Sequence, residues 1–240
     1  MNNPWKGLPE KAPYVLKDDW EAARKLNKKL RGRGKRASLI RHEILPVPYV
    51  GNPLTASVIL LSLNPGFQKR DLFHYNSDKF RKACKDSMLH RPSKYPFYLL
   101  DPRFGETCGG EYWSRRLRTL TEKHGNEAVA RAVCVIQWHP YHSAVSGGHP
   151  KKKFCASQDY SGWLVEQAIK RNCIVLLLRS QKRWEFLVPG LKGLPGKGSK
   201  GRKPAPIVNA PRSQYVTEKN LEQYPGLWLK INDAIAKHKR

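Results

Sequence analysis

Three short apolar runs constrain the fold of this chain more than any other feature. They are Val58-Ile59-Leu60-Leu61-Ser62-Leu63, Ala132-Val133-Cys134-Val135-Ile136 and Cys173-Ile174-Val175-Leu176-Leu177-Leu178. Each is rich in strand formers and almost free of polar alternation, the pattern of a strand buried on both faces. A shorter run, Pro206-Ile207-Val208, reads as a fourth strand. Helical patterns over residues 112–124, 160–171 and 183–187 lie between the runs, and a last helix is expected over 227–237, after Pro225-Gly226. An earlier helix is expected over 18–31, with Trp20, Ala23 and Leu26 on one face and Asp18 and Asp19 suiting its N-terminus. The basic run Arg31-Gly32-Arg33-Gly34-Lys35-Arg36 ends it.

Strands alternating with helices predict an α/β fold, a three-layer α/β/α sandwich around a central, mainly parallel four-stranded sheet. Residues 1–50 read as a helical, basic extension packed on the core, and 51–240 as the α/β domain. That domain carries a long, poorly periodic insertion at 68–110 and a Gly/Lys-rich basic loop at 192–203. The loop is either a mobile phosphate-contacting segment, through Lys197 and Lys200, or a solvated linker. In such a sheet, ligands bind beyond the carboxyl ends of the strands.

The formal net charge is +26, from 45 Lys and Arg against 19 Asp and Glu. A charge of that size raises local phosphate concentration and releases counterions on contact, so nucleic acid is the expected partner class. No apolar run approaches the roughly 20 residues needed to span a bilayer. Met1-Asn2-Asn3-Pro4-Trp5 lacks the apolar stretch of a secretory signal. A cytoplasmic monomer without a membrane partner is expected. The five cysteines are odd in number and form no CxxC pair, which argues against a disulfide framework. Cys134 and Cys173 read as small core residues.

Chemistry is sought at the strand ends. The first run ends in Asn64-Pro65-Gly66-Phe67, the second in Gln137-Trp138-His139-Pro140, and the fourth in Asn209-Ala210-Pro211-Arg212-Ser213-Gln214. Taken alone, Asn-Pro-Gly is a turn. Taken together, the three segments, in this order, resemble the motifs of the uracil-DNA glycosylase superfamily. Ser62 stands where the closest branches have Gly, and Ala210 and Arg212 depart from the second superfamily motif. The resemblance covers most of the chain from Val58 onward.

What it implies is a monofunctional DNA glycosylase acting on double-stranded or locally unpaired DNA, with no metal and no cofactor. Asn64 would hold the attacking water, Asn209 would donate to the departing base, and Gln137 would read the flipped base, with His139 as its understudy. Phe67 and Tyr75 are expected to stack on the base, because a base must leave the duplex to be reached. Arg212 or Gln214, with Ser213 beside them, would meet the DNA. Lys151, in Lys151-Lys152-Lys153, is either phosphate-facing or merely solvated. Asp101, before Pro102, either activates water or caps a turn.

Gln137 in place of Asn, and the long aromatic insertion, favour a base bulkier than uracil. The superfamily's bacterial antiphage branch, which removes glucosylated hydroxymethylcytosine from phage DNA, fits that pattern, with Asp101 and His74 available to hold a sugar. Three other functions remain open: a uracil or deaminated-base repair enzyme, a non-catalytic nucleic-acid-binding module, and a metal-dependent nuclease using His139 and His142.

Overall fold

The computed structural model describes residues 1–192 and 214–239. Four strands form one sheet: β1 (Tyr49–Val50), β2 (Val58–Ser62), β3 (Val133–Gln137) and β4 (Ile174–Leu177). Their spatial order is β1-β3-β2-β4. The described helices are α1 (Lys17–Gly32), α2 (Asp71–His74), α3 (Asp78–Met88), α4 (Cys108–His124), α5 (Asn126–Ala132), α6 (Gln158–Lys170), α7 (Gln181–Leu187), α8 (Glu218–Leu221) and α9 (Leu227–Ala236).

The three apolar runs become the three parallel strands. β2 is central, pairing Val58 with Val133 on one side and with Ile174 on the other. Val58, Ile59, Leu60 and Leu61 are fully buried. Alternate residues feed two separate clusters, as the period-two geometry of a strand requires. Val58 and Leu60 pack with Leu117 of α4, Val129 of α5 and Ile231 of α9. Ile59 and Leu61 pack with Leu164 of α6, Trp184 of α7 and the N-terminal Trp5. Both faces of the sheet are therefore covered, and truncating a residue such as Leu60 to Ala would cost about 2–5 kcal/mol.

The fourth described strand is not one expected from the sequence. It is Tyr49–Val50, antiparallel to β3 through Tyr49–Ile136 and Val50–Val135. Two residues carry no periodic signal, so only the pairing reveals it. Residues 206–208, expected as a strand, lie outside the described residues. Gly51 follows β1 at φ +103°, and a Cβ there would stand 2.6 Å from the Val133 carbonyl. Glycine lets the edge strand turn away while its backbone touches β3. The boundary drawn at 50/51 falls directly after this edge strand.

α1 forms as expected, but its buried stripe is Asp19, Ala23, Leu26, Asn27 and Leu30. Trp20, expected on that face, is half exposed. Asp19 is fully buried and accepts from Tyr141 Oη at 2.7 Å and from the Ser157 amide at 2.9 Å. Its place on the stripe follows from those donors rather than from the helix dipole alone. The poorly periodic insertion holds α2 and α3, and α5 runs into β3 without a loop, so that Ala132 ends a helix instead of starting a strand.

Candidate functional site

A cavity of about 540 Å3 opens beyond the carboxyl ends of the parallel strands. Its wall includes Ser62 to Gln68 after β2, Gln137 and residues 142–147 after β3, and Arg179 after β4. Asp71 and Tyr75 at α2, Cys108, Gly109 and Tyr112 at the start of α4, and Gln214 complete the polar part of the wall. Backbone bonds still join the two segments past the strand ends, Trp138 donating to Ser62 O at 3.1 Å and His139 to Leu63 O at 3.0 Å. Those bonds bring the first and second loops side by side.

Two bonds hold the Asn64 amide, one of them to the neighbouring loop, and a third bond ties the two loops together. Its Nδ2 donates to Ser143 Oγ at 3.0 Å and to Pro65 O at 2.8 Å. The Ser143 amide donates to Pro65 O at 3.3 Å. Both amide hydrogens of Asn64 are thereby engaged, and its Oδ1 remains a free acceptor among the described residues. His142 locks the next residue: its Nδ1 stands 2.5 Å from Gly66 O. A carbonyl oxygen can only accept, so Nδ1 carries the proton. In the neutral ring, Nε2 then accepts from the Tyr75 hydroxyl at 3.0 Å. Burial pushes His142 below its ordinary pKa, with the Gly66 carbonyl opposing, and pushes the Tyr75 phenol well above its own.

Gln137 lies at the floor of the cavity, 4% exposed, and its Oε1 has no hydrogen-bond partner among the described residues. A buried unpaired acceptor costs about 1–3 kcal/mol. Phe67 lines the cavity half-buried, with the Arg41 guanidinium 4.3 Å from its ring centroid. Tyr75 is buried and meets His142 and Phe80 edge to face.

Asp71 was not anticipated. The residue is 7% exposed on the cavity wall, and its Oδ2 accepts from the Gln68 amide at 2.7 Å. Burial first, and then the Asp71 charge, push the neighbouring Cys108 thiol up, against the pull of Arg70. Arg179, also unanticipated, donates to the Gln214 amide oxygen when that amide turns its nitrogen to Tyr112 Oη, the one orientation that satisfies both ends. No sequence period marks Asp71 or Arg179; only the strand-end rule, applied to the third apolar run, points toward Arg179.

Several expected site residues stand elsewhere. Asp101 does not line this cavity. It caps a short 3-10 turn, accepting from the Arg103 amide at 3.0 Å and from Arg103 Nη2 at 2.6 Å. Arg103 holds its carboxyl below the ordinary range. It borders a smaller cavity of about 310 Å3 instead, so the turn-capping alternative describes it. His139 is fully buried away from the wall, its Nε2 2.7 Å from His149 Nδ1. His149 Nε2 donates to Ser38 O at 2.6 Å, so the two rings form a structural link. His74 does not line the cavity either.

Gln214, expected on the DNA side, is 3% exposed and fixed in the cavity wall. Lys151 is exposed. Asn209, Arg212, Ser213, Lys197 and Lys200 lie outside the described residues. Among the described residues, no group of three or more His, Cys, Asp or Glu could hold a metal ion, and no helix is long and apolar enough to cross a membrane. No family model, curated protein or solved structure matches the chain.

Proposed function

We propose that the protein is a monofunctional DNA glycosylase, which takes a flipped base into the 540 Å3 cavity and hydrolyses its N-glycosidic bond. The carrying observation is Gln137, whose buried Oε1, unpaired among the described residues, shares one cavity with Asn64 and two aromatic rings. A primary amide offers an acceptor beside a donor. The cytosine edge offers the reverse, an exocyclic amine beside a ring nitrogen. Phe67 and Tyr75 supply the apolar walls that a flipped base needs.

In the hydrolysis, a water oxygen bonds to C1′ as the C1′–N bond breaks and its electron pair leaves with the base. Asn64 Oδ1 accepts one water hydrogen and orients the nucleophile. Asp71 takes the proton that the water releases. The base leaves with negative charge, which Arg179 and the positive end of α4, at Cys108 and Gly109, favour. Among the described residues no lysine lines the cavity, which supports attack by water over a Schiff base with the sugar. Arg179, Tyr112 and Gln214 widen the polar wall beyond what a plain base requires, in support of a substituted cytosine such as glucosylated hydroxymethylcytosine in phage DNA. The superfamily's three-layer sandwich is the architecture this function implies.

The test is a panel of duplexes containing uracil, hypoxanthine, xanthine, hydroxymethylcytosine and its glucosylated form, scored for abasic sites. Excision from at least one modified duplex is expected, with the glucosylated one favoured. Gln137→Ala should shift the preference among bases more than it lowers DNA affinity. Salt-sensitive DNA binding without excision from any duplex would make the protein a binding module and overturn the proposal.

A further inference from the structure

The basic run at the end of α1 has no part in the chemistry above, yet it is tied to the rim of the cavity. Gly34, at φ +67°, turns the chain sharply after the helix, with the Lys35 amide donating to Leu30 O at 2.9 Å. Arg31, Arg33, Lys35 and Arg36 are thereby gathered at one corner. All four are exposed, and none forms an ion pair among the described residues.

The segment after this turn lies along the loop that borders the cavity. The Val145 amide donates to Ala37 O at 3.0 Å, His149 to Ser38 O at 2.6 Å, and the Arg41 amide to His142 O at 2.9 Å. A Cβ on Gly148 would stand 3.1 Å from Lys35 Cδ and closer still to Leu30. Val145, Ser146 and Gly147 themselves line the cavity, and Val145 is 51% exposed at its rim. Four cations without an ion pair among the described residues thus sit on a segment held by backbone hydrogen bonds beside the mouth of a site read as taking a flipped nucleotide.

On the strength of that glycosylase reading, we propose that Arg31, Arg33, Lys35 and Arg36 form the phosphate clamp of the protein, gripping the DNA backbone beside the extruded base. Each cation facing a phosphate releases about one counterion, which makes binding salt-dependent without conferring sequence preference. The clamp would fix the register of the duplex against the cavity, since the same loop carries Ser143, the partner of Asn64.

The experiment compares the triple variant Arg33→Gln, Lys35→Gln, Arg36→Gln with a charge-matched control, Lys123→Gln, Lys230→Gln, Lys237→Gln, on α4, on α9 and directly after α9. Binding to an unmodified duplex is titrated against salt. The clamp variant should bind at least 10-fold more weakly at physiological salt, and its slope of log affinity against log salt should be shallower by about 2.7. The control should keep the wild-type slope, and the melting temperature of both should match wild type. Equal slopes in the two variants would overturn the clamp while leaving the glycosylase reading intact. A clamp variant that melts lower with an unchanged slope would make the cations a counterweight to the α1 C-terminus only. A wild-type protein that binds no DNA would overturn both.

Discussion

Asn64 Nδ2 donates to Ser143 Oγ at 3.0 Å, across 79 residues of sequence. Ser143 Oγ in turn donates to Val145 O at 3.0 Å. The Asn64 amide therefore cannot rotate freely, and its oxygen is the atom left for a ligand. Asn64→Ala should lower excision by about 100- to 1,000-fold while leaving duplex affinity near wild type, measured in single-turnover assays at saturating protein. Ser143→Ala should produce a smaller loss in the same direction, because it frees the amide without removing it.

Two carboxylates separate by position. Asp71→Asn should slow the chemical step by about 100- to 10,000-fold in the same single-turnover assay, as expected for loss of a general base. Asp101→Ala should leave kcat unchanged and cost about 0.5–2 kcal/mol in denaturant unfolding, since it removes only a capping acceptor and its link to Arg103. Equal kinetic losses in the two variants would remove the distinction.

Several imidazoles are held below their ordinary pKa by burial. His90 is pushed down to about 4, His139 well below the usual value, and His142 and His149 in the same direction. Each binds its proton more readily in the unfolded chain than in the folded one. Their contribution is therefore complete above the unfolded value of about 6.5 and is lost as pH falls toward the folded values. For the fully buried His139 the slope is at most about 1.4 kcal/mol per pH unit. Denaturant midpoints at pH 7.5 and 5.5 should show the decline, and His139→Gln should make it shallower.

Gly51 joins the edge strand to the core at a positive φ, with no room for a Cβ beside Val133 O and Cys134 Cα. Gly51→Ala should destabilise the protein by more than about 1 kcal/mol. Thermal unfolding reads this directly, and an unchanged midpoint would mean that β1 can detach from β3 at no cost.

Local pattern carried the framework. Three apolar runs of strand formers marked β2, β3 and β4, because a strand covered on both faces leaves no polar alternation in its own residues. The rule that ligands gather at strand ends then singled out Asn64, Phe67 and Gln137, and the aromatic insertion offered Tyr75; all four line the cavity. Other assignments depended on which distant segment covers a polar group. Asp71 and Asp101 are alike in sequence, each an acid in an irregular insertion, yet one lines the cavity and the other caps a turn against Arg103. His139 follows Gln137 by two residues and should share its face. Instead His149 draws it into a buried pair, because the chain leaves extended geometry after β3. Tyr49–Val50 was too short to show a period and became a strand only by pairing with β3. Side-chain period is a property of a segment and can be read from it, whereas burial and partnership are set by contacts between segments far apart in the chain, so the tertiary structure alone assigns them.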